Sequence, residues 1–92
     1  MKVKIYQAGI EAKNKFMDLE FTNRVCGGIN SNDYNVVFDG ELPVSNLEAI
    51  YMLLNTSRPE GYTGHSLSVS DIVVTEEGAF YCDSFGFTEI DF

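Results

Sequence analysis

Tryptophan is missing, histidine occurs once, cysteine and proline occur twice each, and Arg58 is the only Lys or Arg after Asn32. With Cys26, Cys82 and His65 as the whole supply of Cys and His and no CxxC pair, a zinc site would need a carboxylate to complete it, and the spacing matches no zinc module. Two cysteines cannot make a disulfide scaffold. Cys82, inside an apolar and aromatic stretch, reads as a small buried hydrophobe, and Cys26, beside Gly27 and Gly28, as a thiol near a turn, both free in a reducing compartment. No apolar run approaches the roughly 18 to 20 residues that cross a bilayer, and Met1 to Tyr6 mixes charged and apolar residues too finely for a signal peptide. The expected location is therefore cytoplasmic. Neither a GxxxxGK nor a GxGxxG glycine pattern occurs, which removes the usual backbone cradles for phosphate. No metal, no cofactor and no membrane contact are expected.

What is present is a core and an uneven charge. Hydrophobic residues make up 45% and aromatics 13% of the 92 residues, enough to fold one domain over 1–92. The net charge is −8: residues 1–32 carry five bases against three acids, a net of +2, and residues 33–92 carry one base against eleven acids, a net of −10. Binding to DNA or RNA relies on basic side chains that displace counterions from phosphate, so direct nucleic-acid binding is not expected. The same imbalance can steer the chain onto a basic protein surface, although acidic residues also serve solubility alone.

Periodicity supplies the elements. Lys2 to Ala8 alternates, with Val3 and Ile5 on one face, and predicts a half-buried strand. A short helix is expected near Asp18 to Arg24, then a turn-rich loop through Gly27–Gly28 and Asn30 to Asp33. Tyr34 to Phe38 reads as a second strand closing in a turn at Asp39–Gly40–Glu41. The clearest element is a helix from Ser45 to about Thr56, with Ser45 and Glu48 as a capping box, Val44 on Ala49 as a staple, and an apolar stripe of Leu47, Ile50, Tyr51 and Leu54. Ile72 to Thr75 and Ala79 to Asp83, joined by Glu76–Glu77–Gly78 as a three-residue loop, form a hairpin. Phe85–Gly86–Phe87, with Gly86 as a bulge or close approach, and Ile90–Asp91–Phe92 read as a docked end. The expected class is α+β: an antiparallel sheet of about four strands with one principal helix packed on one face. Tyr51, Leu54, Phe80 and Phe85 are expected to be mostly buried.

Gly64–His65–Ser66–Leu67–Ser68–Val69–Ser70–Asp71 gathers the sole histidine, three serines and an aspartate. A Ser-His-Asp site needs its members to converge on a pocket with an oxyanion hole, and neighbours in sequence seldom do so. The favoured reading is structural: Ser66, Ser68 and Ser70 on one side, Leu67 and Val69 on the other, and Asp71 and Ser66 holding the loop between helix and hairpin. No catalytic residue is assigned. The exposed acids Asp39, Glu41, Glu76 and Glu77, in two turns, are the expected partner-binding residues.

The segments Tyr34 to Leu42, Leu47–Glu48–Ala49–Ile50–Tyr51, Pro59–Glu60–Gly61–Tyr62–Thr63–Gly64, Ser66 to Asp71 and Tyr81–Cys82–Asp83–Ser84–Phe85–Gly86–Phe87 occur in the order found in YodL-like domains. The chain resembles that family most strongly over 33–92, and departs from it at Cys82, where similar proteins often carry Val. Such domains are similar to pieces of large proteins of phages and conjugative elements and to small proteins encoded beside anti-restriction and anti-CRISPR genes. The resemblance implies no enzymatic chemistry. Together with the acidic balance it implies a small anti-CRISPR type of inhibitor of a mobile genetic element, bound to a basic surface of a Cas nuclease such as Cas9 or another nucleic-acid-processing enzyme. The alternative is a non-catalytic interaction module with no defence target; an enzyme centred on His65 and Asp71 ranks third.

Overall fold

The first strand lies inside the sheet rather than at its edge. In the computed structural model, which describes residues 1–92, β1 (Lys2–Ala8) lies between β2 (Tyr34–Glu41) and β3 (Ile72–Thr75). β4 (Gly78–Asp83) and β5 (Gly86–Ile90) follow as an antiparallel meander, and the order across the sheet is β2-β1-β3-β4-β5 with every pairing antiparallel. There are thus five strands rather than about four. The added one is the expected docked end: Gly86, at φ +86°, is neither a bulge nor a close approach but turns the chain after Ser84–Phe85 so that Asp83 pairs with Gly86. Phe92 is docked as expected, its ring meeting Tyr6 and Tyr34 edge-on at 4.8 and 5.7 Å between centroids.

The alternation of β1 separates two cores. Val3, Ile5 and Gln7 are buried on one face, where Val3 and Ile5 join Phe38, Leu42, Leu67 and Val73 beneath a helix, α2 (Leu47–Thr56), that contributes Ile50 and Leu54. Ala8, Tyr34, Ile72 and Tyr81 form the core of the opposite face, with Ala12, Leu19 and Ile29 packed over them. The cover of that second face is the segment 9–33, including α1 (Leu19–Val25), close to the expected span and capped by Asp18, whose Oδ1 accepts the Phe21 N–H at 2.9 Å. Both faces are therefore covered, and the expectation of one helix on one face describes half of the molecule.

Local corrections follow from who bonds whom. α2 is capped by Asn46, which accepts the Ala49 N–H at 2.8 Å, so the capping box of Ser45 and Glu48 is displaced by one residue. Tyr51 is 44% exposed because the buried stripe runs through Ile50 and Leu54, with Leu47 and Leu53 beside it; Tyr51 lies at its margin. Phe85, at the tip of the β4–β5 turn, is 99% exposed, and Phe80 is only half-buried. β2 does not stop at Phe38: Asp39, Gly40 and Glu41 pair with Lys4, Val3 and Lys2, so the expected turn there is strand. Between β3 and β4 only Glu76 and Glu77 are unpaired, Thr75 pairing with Gly78, whose φ of +141° suits a residue without a side chain.

Candidate functional site

The motif Gly64 to Asp71 meets Gln7 from β1 in a buried polar cluster on the α2 side of the sheet. A register shift in β1–β2 pairs Ile5 with Phe38 but Tyr6 with Val36, and the carbonyl of the skipped Val37 accepts the Thr63 N–H at 2.9 Å, which draws the loop onto the sheet. Gly64 has no side chain at the point of closest approach; a Cβ there would collide with the Gln7 carboxamide. The Gln7 Oε1 accepts the His65 N–H at 3.2 Å, and its Nε2 donates toward the His65 carbonyl at 2.9 Å and Asp71 Oδ2 at 3.0 Å. Asp71 Oδ2 also accepts the Ser68 N–H at 2.8 Å. The Tyr62 hydroxyl donates to the His65 carbonyl at 2.6 Å, and Arg58 reaches the Gly64 carbonyl and Ser66 Oγ at 3.2 and 3.0 Å.

Within this cluster His65 and Asp71 are bonded to other groups rather than to each other. His65 Nδ1 lies 2.7 Å from the Ser66 carbonyl, which can only accept, so Nδ1 carries the proton in the neutral ring and Nε2 is left as the basic nitrogen. That Nε2 is buried and has no partner, with the Phe16 ring 5.4 Å from the imidazole. Asp71 is 1% exposed, its Oδ1 also lacks a partner, and its Oδ2 is spent on Gln7 and Ser68 rather than on His65. Burial raises the Asp71 pKa to about 6 against the pull of the Ser68 N–H and Gln7. Burial likewise pushes the Tyr62 hydroxyl up to about 12 and the Cys82 thiol up to about 12, leaving Cys82 an inert core thiol; neither it nor Cys26 is in a disulfide.

Ser70 faces the other way. The expected split, serines on one side and Leu67 and Val69 on the other, fails because Ser70 takes φ +85° and is buried, as is Leu67. Its Oγ accepts the Phe16 N–H at 2.9 Å and its carbonyl accepts the Tyr34 hydroxyl at 2.7 Å. Asn14 donates to the Tyr34 hydroxyl at 2.8 Å, and Tyr81 donates to the Met17 carbonyl at 2.7 Å beside Thr22 at 3.0 Å. Successive residues thus tie the two covers of the sheet: Ser70 holds segment 9–33 and Asp71 holds the loop on the α2 side. Sequence reasoning reached Asp71 and Ser66 but missed Gln7, Tyr62, Tyr34, Tyr81 and Asn14. Only Gln7 leaves a signal, as a polar residue in phase with Val3 and Ile5.

The expected partner-binding acids converge on one end of the sheet. Asp39 and Glu41 close β2, Glu76 and Glu77 form the β3–β4 turn, and all four are exposed. Lys2 and Lys4 of β1 are interleaved with them: Lys4 Nζ lies 3.8 Å from Asp39 Oδ2, and Lys2 pairs in register with Glu41. No His, Cys, Asp or Glu group of three is placed to hold a metal ion, and no helix is long and apolar enough to cross a membrane.

The family model of the YodL-like domain matches residues 2–92, so the match takes in the amino-terminal strand and the segment 9–33 as well as the motifs after Asp33. No curated protein and no solved structure matches the chain.

Proposed function

The chain belongs to the YodL-like domain family, and from that premise we propose that it works by binding another protein rather than by turning over a substrate. The partner is a basic surface of a nucleic-acid-handling enzyme, and the role is anti-defence, of the anti-CRISPR type against a nuclease such as Cas9. One observation carries this reading: the acid surplus is displayed on exposed strand ends and turns, whereas Asp71 and the His65 Nε2 of the set that resembles a catalytic one are buried and not bonded to each other. An exposed acidic surface offers a basic groove the charge that nucleic acid would otherwise bring. Asp39, Glu41, Glu76 and Glu77 are the proposed contacts, with Lys2 and Lys4 lying between the two pairs.

Association rates with a guide-loaded and a guide-free Cas nuclease, at low and high salt, test the proposal. Fast binding that falls steeply with salt and slows in the Glu76→Lys/Glu77→Lys variant is the expected result. Equal rates for wild type and variant at low ionic strength would remove acidic steering through this turn. A second reading, an interaction module without a defence target, draws on the exposed apolar side chains Met52 and Phe85. It expects salt-insensitive binding to a protein of the element itself.

A further inference from the structure

An uncovered, mainly apolar surface lies away from the acidic sheet end, where α2 runs past the β4–β5 hairpin. A groove of about 480 Å³ opens there, walled by Tyr51 and Met52 on one side and Phe87 on the other, with Val69 and the buried Cys82 lining it. The Tyr51 and Phe87 rings meet edge-on with centroids 6.5 Å apart. Met52 is 67% exposed, and Phe85, between the groove-lining residues Ser84 and Gly86, is 99% exposed. Val69 and Ser84 also line a second depression of about 350 Å³ with Phe16, Met17 and Phe21, so the apolar surface continues across the hairpin. Large apolar side chains grouped in this way mark an interaction surface rather than scattered exposure.

The charged residues at the first groove are all acidic, and those at the second are acidic apart from Arg24. Glu48 and Asp83 stand at the first groove, and Asp18 and Glu20 at the second, where Arg24 lies within 4.0 Å of Glu20. Asp83 stays ionised: its slight burial is outweighed by the N–H groups of Leu19 and Ser84 and the Thr88 hydroxyl, which hold its pKa below the usual carboxylate range. An apolar floor with an acidic rim selects its occupant. A second copy of a chain of net charge −8 would set acidic rim against acidic rim, and nucleic acid would be repelled outright. A peptide segment with large apolar side chains flanked by Lys or Arg satisfies both floor and rim.

We infer that the groove between α2 and the β4–β5 hairpin is a docking site for a basic, apolar segment of the partner protein, with Met52, Tyr51, Phe85 and Phe87 as the apolar contacts and Glu48 and Asp83 as the charged rim. The inference rests on the reading that the domain works by binding a protein, and it moves the specific contact away from the Glu76–Glu77 turn, which then serves approach. Selection from a displayed library of random linear peptides tests it directly. The expected winners carry two or more bulky apolar residues beside Lys or Arg. Their synthetic versions should bind Met52→Asp/Phe85→Ser at least about tenfold more weakly, the scale of losing a buried anchor, while Glu48→Gln should mainly slow association. Thermal unfolding of each variant, with wild-type cooperativity expected because these side chains are exposed, separates lost binding from lost folding.

Acidic or uncharged winners, no enrichment at all, or winners indifferent to Met52→Asp/Phe85→Ser would overturn the assignment. A dimer in sedimentation that dissociates in the Met52→Asp variant would give the groove to a second copy instead. Failure of the nuclease reading is distinct: basic apolar peptides that bind the groove while no nuclease is bound would keep the site and remove the target, and nuclease binding untouched by Met52→Asp/Phe85→Ser would do the reverse.

Discussion

The two faces of the sheet are held by different forces. On the α2 face Ile5, Ile50, Leu54 and Val73 are 0% exposed and meet one another as hydrocarbon. On the other face the segment 9–33 lies on tyrosines, and much of what fixes it is hydrogen bonding to hydroxyls: Tyr81 donates to the Met17 carbonyl, Asn14 donates to the Tyr34 hydroxyl, and the Phe16 N–H donates to Ser70 Oγ. Apolar burial is tolerant of geometry, about 25 cal/mol for each Å² removed from water. A buried hydroxyl is not, because a partner displaced by an ångström leaves a donor or acceptor unpaired at a cost of about 1 to 3 kcal/mol. Beneath α2 the packing is therefore stabilised mainly by bulk, and the cover of the other face depends more on register, as does the Gln7–Asp71 cluster.

Leu54→Ala is the strongest way to expose that difference. It should cost about 2 to 5 kcal/mol in chemical denaturation, as loss of a buried leucine leaves a cavity, and it should lower protection from hydrogen exchange across the whole sheet. A loss confined to α2 would mean that the helix face is not the global core.

Asp71 sits where the faces meet, and its pH dependence sharpens the contrast. Its carboxyl has an ordinary value of 3.8 and rises to about 6 in the fold, so between those limits the folded chain keeps a proton that the unfolded chain releases. Stability from this group is therefore full below about pH 4 and falls as pH rises toward 6, by up to about 3 kcal/mol at 1.36 kcal/mol per pH unit. Asp71→Asn should remove that slope, read as the difference between wild-type and variant unfolding free energies across the window. Parallel curves would mean that the carboxyl titrates alike in both states. Asp71→Ala should be less stable by about 1 to 3 kcal/mol, with the Ser68 N–H left as an unmatched donor and Gln7 reduced to its remaining acceptors.

Tyr81→Phe is expected to be milder and local. It should cost about 1 to 2 kcal/mol by stranding the Met17 carbonyl, Thr22 keeping its bond to the Asp18 carbonyl, and raise exchange in 9–33 before it affects β1 and β3. A uniform loss of protection would break the distinction between the faces. Smallest of all, Glu76→Lys/Glu77→Lys should move the unfolding midpoint hardly at all, since exposed charges contribute little.

The same distinction explains what the sequence made legible. β1 and α2 are readable because apolar period is written locally, whereas the period around α1 is mixed, and Leu54 can be placed in the core from spacing alone. Tyr51 and Phe85 misled because hydrophobicity gives no sign of which side of a stripe, or which tip of a turn, faces solvent. The fifth strand was hidden because Thr88 and Glu89, exposed on an edge strand, interrupt its apolar pattern. In the Gly64–Asp71 motif the structural role of Asp71 was accessible, whereas its partner Gln7 lies 64 residues away and the Tyr81–Met17 bond spans another 64. Such pairings have no local signature, and neither does the φ of +85° that turns Ser70 to the opposite side.

The place of β1 inside the sheet also dictates a schedule. As the chain leaves the ribosome, Lys2–Ala8 can pair with β2 once Tyr34–Glu41 has emerged, but its other edge stays open until Ile72–Thr75 is made. The segment 9–33 waits longer still, since Tyr81 is among its last anchors to be synthesised. Contacts so distant in sequence are slow to form, so the segment 9–33 stays unanchored long after it is made.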